Sequence, residues 1–359
     1  MRGRLRICLI ASSRFPIREP LAGGLEAHTL LLARTLRQRG HEISLFAAPG
    51  SRHDLDVQDL PAAQFTSSAA ARADVGAMPD SWMREHHAYM DLMLELARTG
   101  PLRFDVIHNN SLHHLPLAMA SMVEVPTITT LHTPPLAWLE SAMPYVPATA
   151  RFAAVSSTMA AAWSHAVAST VVLNGVDTAQ WRLGKGGGPD VWSGRIVPEK
   201  GTHLAVQAAI RSGRRLDLAG PIVDTAYFQA QVRPHLGERI RYLGHLPHRD
   251  LVDVVGRASV ALVTPCWEEP YGLVAAEAMS TGTPVAAFAR GALPEIVDDS
   301  SGRLADPGDV DGLAGAVRAA ASLDRAAVRR RAVNAFSAER MVDEYERLYR
   351  SNPVSVLAS

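Results

Sequence analysis

Apolar runs of strand length alternate with amphipathic stretches and turn residues along most of the chain. Leu5 to Ala11 is continuously apolar, as in a strand buried on both faces of a parallel sheet. The loop Ser12–Ala22 carries two prolines and ends in Gly23-Gly24; the amphipathic run Glu26 to Arg39 follows and is closed by Gly40. Glu42 to Ala47 predicts the next strand. Trp82 to Arg98 predicts a helix, and Phe104 to His108, Pro126 to Leu131 and Ala153 to Ser157 predict further strands, with Ser157 a candidate cap for a helix from Thr158. Gly-Lys-Gly-Gly-Gly-Pro-Asp at 184–190 has the composition of a flexible linker. Beyond it, strands are predicted to end at Ser193 and to span Leu216 to Ala219, Ile240 to Leu243 and Ser259 to Val263. A short helix is predicted over Gly272 to Thr281, and a last amphipathic one over about Ala338 to Arg350.

The helix at 272–281 is apolar on nearly every side, so it is expected to be buried, yet it contains Glu277. A carboxylate there is costly unless something supplies hydrogen bonds, and no cation lies nearby in sequence. A hydroxyl-rich ligand would serve. The helix N-terminus offers free amides around Tyr271, Gly272, Leu273 and Val274 and a positive dipole end, which suits a phosphate. Glu269 adds a second carboxylate at the same mouth. Hydroxyl acceptors beside a phosphate cradle describe a nucleotide-sugar site. The plainer alternative is a buried helix whose Glu277 pairs with a distant arginine; Pro270, Gly272 and the Gly-Thr-Pro-Val tail weigh against it. At 191–201, Val-Trp-Ser-Gly-Arg-Ile-Val-Pro-Glu-Lys-Gly sets Arg195 and Lys200 after a strand and before a helix whose expected cap is Thr202. Two fixed cations match a departing diphosphate of about two negative charges.

Glu269 and Glu277, seven residues between them, inside E-P-Y-G-L-V-A-A-E-A-M-S-T-G-T-P-V, resemble the signature of retaining GT-B glycosyltransferases of glycosyltransferase family 4. The segment N-G-V-D at 174–177 and G-R-x-x-x-E-K-G at 194–201 resemble the same family; D-V-I-H-N-N-S at 105–111 does so with Asn110 where a second His is usual. The resemblance implies an α/β GT-B fold of two Rossmann-like parallel-sheet domains facing across a cleft. It implies an acceptor-side domain over 1–173, a nucleotide-sugar domain over 174–337, and a helix with a tail over 338–359 crossing back to the first. It further implies that Glu277 holds the ribose hydroxyls and Glu269 the transferred sugar. Gly23 and Gly24 approach the diphosphate from the opposite domain, and Arg195, Lys200 and the 271–274 amides hold it. His132, in T-L-H-T-P-P at a strand end, faces the sugar, and His245 and Leu246 pack on the base. The implied reaction is metal-independent sugar transfer with retention, without a cofactor, from a UDP-sugar first and a GDP-sugar second, to an unidentified hydroxyl. An epimerase or hydrolase of the same fold, or a non-catalytic nucleotide-sugar binder, are the alternatives.

Other features narrow the picture. The dinucleotide fingerprint G-x-G-x-x-G is absent from the first loop, which disfavours a dehydrogenase. Asp54-Leu55-Asp56 matches the D-x-D of metal-dependent glycosyltransferases of another fold, but the polar stretch 51–80 around it reads as an exposed loop. His113 and His114 lack a carboxylate or cysteine to complete a metal spacing, so no metal is expected. The 359 residues suffice for two cores, and 36 basic against 36 acidic side chains point away from nucleic acid. Two distant cysteines, Cys8 and Cys266, both expected to be buried, exclude a disulfide framework and fit a reducing compartment. With no run of membrane-spanning length and no signal peptide, a cytoplasmic protein is expected. Arg2, Arg4 and Arg6 with the arginines at 34–39 read as a solvated face, with contact to an anionic membrane as the alternative. Trp82, His86, Tyr89 and Trp138 are candidates for the acceptor pocket or for the core.

Overall fold

The structure is a computed structural model describing residues 3–51, 56–60 and 66–351. The first sheet contains β1 (Arg6–Ile10), β2 (Glu42–Ala47), β3 (Asp56–Asp59), β4 (Val106–Asn109), β5 (Thr127–Leu131), β6 (Arg151–Ala154) and β7 (Thr170–Val171). The second contains β8 (Asp190–Ser193), β9 (Leu216–Ala219), β10 (Ile240–Tyr242), β11 (Ala261–Val263), β12 (Val285–Phe288) and β13 (Gly302–Ala305). Their spatial orders are 3-2-1-4-5-6-7 and 10-9-8-11-12-13. Pairing is parallel throughout: Cys8 aligns with Ser44 and Ile107, and Leu262 with Trp192 and Ala286. Both sheets reverse direction of growth at one point, between β1 and β4 and between β8 and β11, where the loops diverge and leave a crevice.

Five helices place the groups discussed below: α1 (Gly24–Gln38), α2 (Asp80–Arg103), α3 (Thr202–Ser212), α4 (Leu273–Ser280) and α5 (Ala338–Arg350). Leu32, Ala33 and Leu36 of α1 pack with Ile7 and Leu9 of β1, and Met341, Val342, Tyr345 and Leu348 of α5 enter the same core. The last helix therefore returns to the first sheet, because its apolar stripe finds its partner there. Arg39 joins Asp343 at 2.5 Å on the rim of that contact. Among the described residues no helix is long and apolar enough to cross a membrane. Arg4 pairs with Glu42 and Arg6 with Asp105, each at 2.8 Å, and Arg2 lies outside the described residues.

Several local expectations are corrected. The glycine-rich segment at 184–190 is fastened rather than flexible: Gly184, Gly186 and Gly188 donate to Thr281 O, Gly256 O and Arg257 O, and buried Asp190 binds Arg214. A Cβ on Gly184 would stand 2.0 Å from Gly256 O, so glycine is there for close backbone approach. Ser156, not Ser157, caps the helix at 157–163 through Met159 N, and α3 is preceded by Gly201 while Thr202 is its first residue. Asp56 opens the short, charged edge strand β3, instead of lying in a loop; Asp54 and Leu55 fall outside the described residues. Cys266 is exposed, because the chain has left β11 and turned to the surface, whereas Cys8 is buried in β1.

Candidate active site

The loops at the carboxyl ends of β1, β8 and β11 enclose a cavity of about 330 Å³. Gly23 and Gly24 line it from the first half, and Arg195, Lys200, His245, Leu246, Glu269, Leu273, Val274 and Glu277 from the second. The two halves meet closely: the Cβ position at Gly24 lies 3.6 Å from Leu273 Cδ2. Three residues expected at the site do not line this cavity: His132, Tyr271 and Gly272. Tyr271 is turned inward, where its hydroxyl donates to Asn174 O at 2.7 Å and its ring meets Phe336 edge-on. Gly272 serves the backbone: its φ of 90° sets the turn into α4, and a Cβ would collide with Leu293 Cδ2 at 2.6 Å. That turn leaves the amides of Leu273 and Val274 at the start of α4, where helical geometry gives them no partner within the helix.

Of the four charged groups expected at the site, Lys200 and Glu269 are paired and Arg195 and Glu277 are open. Lys200 Nζ lies 2.7 Å from Glu269 Oε2, the same oxygen accepts from Trp267 Nε1 at 3.2 Å, and Lys200 sits over the Trp267 ring. Arg195 has no ion-pair partner among the described residues. The Glu277 carboxyl has neither hydrogen bond nor ion pair among them, so no arginine ties it up. It keeps partial exposure to the cavity, yet protein encloses the carboxyl enough that burial pushes its pKa up to about 8. Glu26, in the first turn of α1, is also raised by burial, with its own amide, Arg195 and Arg14 opposing. Its sequence signal, an acid at a helix start, reads only as a dipole partner.

A buried imidazole group lies under the first-sheet wall. His132 Nε2 donates to Asn110 Oδ1 at 3.0 Å, so the residue standing where a second His is usual holds this ring. The ring of His28 meets that of His132 at 4.9 Å, and it is His28 that lines the cavity. His28 is 1% exposed, neither ring nitrogen has a partner at hydrogen-bond geometry among the described residues, and burial, opposed by the nearby Asn110 side chain, lowers its pKa to about 4. Burial, then the neighbouring His28 and His108, hold His132 well below the usual range. His108 continues inward to Tyr349 and Thr130, each at 2.8 Å. Sequence reasoning missed His28 because its neighbours make it one polar position on an amphipathic helix. A second ring cluster, with His86, His113 and His114 beside Trp82 and Trp138, stands on the first half outside the cavity. Burial lowers all three of these imidazoles, His113 to about 3.

Family models match both halves. Residues 22–180 match "Glycosyltransferase Family 4" and residues 191–335 match "Glycosyl transferases group 1". The chain is 29% identical to glycogen synthase of Mycobacterium tuberculosis, over 91% of this chain and 88% of that protein. It is 28% identical to D-inositol 3-phosphate glycosyltransferase of Acidothermus cellulolyticus, over 87% and 82%. The crystal structure of Anabaena HepE in complex with UDP and glucose superposes with a TM-score of 0.75 at 18% identity, over 97% of this chain and all of that one. With a two-sheet crevice, a cavity at the switch points and both halves matched, the chain belongs to glycosyltransferase family 4 and is a glycosyltransferase of the GT-B fold.

Proposed function

We propose that the enzyme moves a hexose from UDP-hexose to an acceptor hydroxyl with retention of configuration and without a catalytic metal. The observation that carries this reading is the unpartnered Glu277 carboxyl in a cavity shared with Arg195, Lys200 and the first amides of α4. A carboxylate without an internal partner suits two ribose hydroxyls, and the cations suit a diphosphate. UDP is chosen over GDP because a protein of the same fold is known with UDP and glucose.

In this reading Arg195 and the Leu273 and Val274 amides take the phosphate oxygens, and Lys200, with three N–H groups, serves a phosphate while keeping Glu269. Glu269, so held, orients the sugar. The bond from the anomeric carbon to the phosphate oxygen breaks, the acceptor oxygen bonds to that carbon on the same face, and its proton passes to the leaving phosphate. Arg195, Lys200 and the helix end already offset the developing charge, which is the work a metal ion does elsewhere. His132, behind the wall, acts on the sugar face through His28. His245 and Leu246 pack on the base. We assign residues 1–173 to the acceptor side, 174–337 to the donor side and 338–359 to the returning helix and tail. Both cysteines are free, which fits a reducing compartment, and we place the enzyme in the cytoplasm.

The deciding experiment is a thermal-shift and calorimetric panel of nucleoside diphosphates, followed by NMR of the product anomer. UDP should bind best and the α-linked donor should give an α-linked product. A clear preference for GDP or an inverted product would overturn the corresponding part.

A further inference from the structure

Outside the donor cavity, three imidazoles converge from two separate parts of the chain. His86 stands on the second turn of α2, and His113 and His114 on the loop after β4. One ring nitrogen from each lies within 4.8 Å of the other two. We propose that these three histidines form a binding site for a late first-row divalent ion, with zinc the preferred occupant. Nitrogen-only ligands suit zinc, copper or nickel and not magnesium or calcium, which need oxygen donors.

Two of the rings are free to serve. His86 Nδ1 is buried with no hydrogen-bond partner, and among the described residues the His114 ring makes no hydrogen bond. A buried ring nitrogen left unpaired calls for an explanation, and a metal supplies one. His113 is the weakest of the three, since its Nδ1 already accepts from Leu115 N–H at 3.2 Å and would have to give up that arrangement. Around them Trp82 stacks on His86, Tyr89 on His113 and Trp138 on His114, forming an apolar jacket. The His113 and His114 rings also stack, their centroids 4.4 Å apart, and the ligand nitrogens lie within 4.8 Å of one another. Loading therefore requires the rings to swing until the three nitrogens are about 3.4 Å apart, the edge of a tetrahedron with zinc–nitrogen bonds near 2.0–2.1 Å. That swing separates His114 from Trp138, so tryptophan emission should report it. Three protein ligands leave the fourth position for water. None of the three lines the donor cavity, so the site stands or falls separately from the sugar-transfer reading.

The test titrates the full chain, chelator-treated and without an affinity tag, with Zn²⁺ by calorimetry, and with Co²⁺ by visible absorption. About one equivalent should bind, with tetrahedral Co²⁺ bands and a change in tryptophan emission that Trp138→Phe diminishes. His86→Gln and His114→Gln should each weaken Zn²⁺ by about a hundredfold and His113→Gln by about tenfold, with circular dichroism and the cooperative thermal unfolding of the metal-free chain unchanged in all three. The unchanged unfolding shows that each variant is folded. Absence of stoichiometric Zn²⁺ binding by the parent chain, or parent-like binding in His86→Gln and His114→Gln, would overturn the proposal.

Discussion

Lys200 Nζ and Glu269 Oε2 stand 2.7 Å apart and join the loop after β8 to the loop after β11. Both side chains are largely shielded, at 24% and 13% exposure, so removing one leaves the other as a poorly solvated charge. Lys200→Ala should lower kcat by about 10²–10³ and weaken UDP, the loss typical of one donor to a developing negative charge. Glu269→Gln should lower kcat while UDP affinity stays near that of the parent, since the role assigned to it is toward the sugar. Steady-state kinetics with UDP inhibition constants decide this; equal losses of UDP binding in both variants would mean the pair acts only as a strut.

Chelation gives an independent check. If Arg195, Lys200 and the α4 amides supply the positive potential at the diphosphate, UDP binding and acceptor-free donor hydrolysis should both survive excess EDTA. These donor-side readings are chosen because the three-histidine cluster lies outside the donor cavity. A loss of donor hydrolysis restored by Mn²⁺ would count against metal-free chemistry.

The segment joining the two sheets should behave as packed structure. A Cβ at Gly184 would lie 2.0 Å from Gly256 O, and Gly184 N also donates to Thr281 O at 2.9 Å. Gly184→Ala should therefore destabilise the chain by about 2–4 kcal/mol in denaturant unfolding. Gly187→Ala, by contrast, has open space at its Cβ position, and only its φ of 79° opposes substitution, so a loss of about 1 kcal/mol is expected. Equal, small effects at both positions would restore the flexible reading.

How far the fold was legible in the sequence depended on how local the cause was. The limits of β2, β9 and α5 follow directly from apolar period and flanking turn residues. The glycine-rich joint misled because composition measures the freedom of a chain alone, whereas Gly184 is fixed by backbone from residue 256. Tyr271 shows the same limit: it lies in the signature stretch, yet its hydroxyl bonds to Asn174, 97 positions away. Four charged groups of the cavity were visible because Arg195, Lys200, Glu269 and Glu277 sit on short stretches around strand ends; Arg34, read as part of a solvated face, also lines it. His28 was not, since only tertiary packing strips both its nitrogens of partners. Nor was the meeting of His86 with His113 and His114, which needs α2 to lie against the loop after β4.

His28 offers a separation of stability from activity. A buried imidazole with both nitrogens unpaired is a cost to the folded state that an aliphatic side chain would not carry. His28→Leu should leave unfolding free energy equal or raise it by about 1 kcal/mol while lowering kcat by about tenfold or more. His28→Gln, which keeps a polar tip, should recover part of the rate. If His28→Leu loses stability and keeps its rate, the ring is only a piece of the core.

Glu277 couples protonation to both folding and donor binding, and the signs can be worked out. Its pKa is about 8 in the folded chain against an ordinary 4.5, with burial as the cause. Below pH 4.5 the carboxyl is neutral in folded and unfolded chains alike, so it costs nothing. Between pH 4.5 and 8 the unfolded chain gives up the proton and the folded chain keeps it, so stability falls by about 1.4 kcal/mol per pH unit across that window. Above pH 8 the penalty is constant. Glu277→Gln should therefore match the parent at pH 4.5 and exceed it in thermal stability at pH 8.5. Donor binding runs the other way: ribose hydroxyls donating to Glu277 favour the ionised form, so binding at pH 7 should release a proton. Calorimetry of UDP in buffers of different ionisation enthalpy should show release approaching one proton per site, lost together with about a hundredfold of affinity in Glu277→Gln. No proton release, with unchanged UDP affinity in the variant, would remove Glu277 from the donor site.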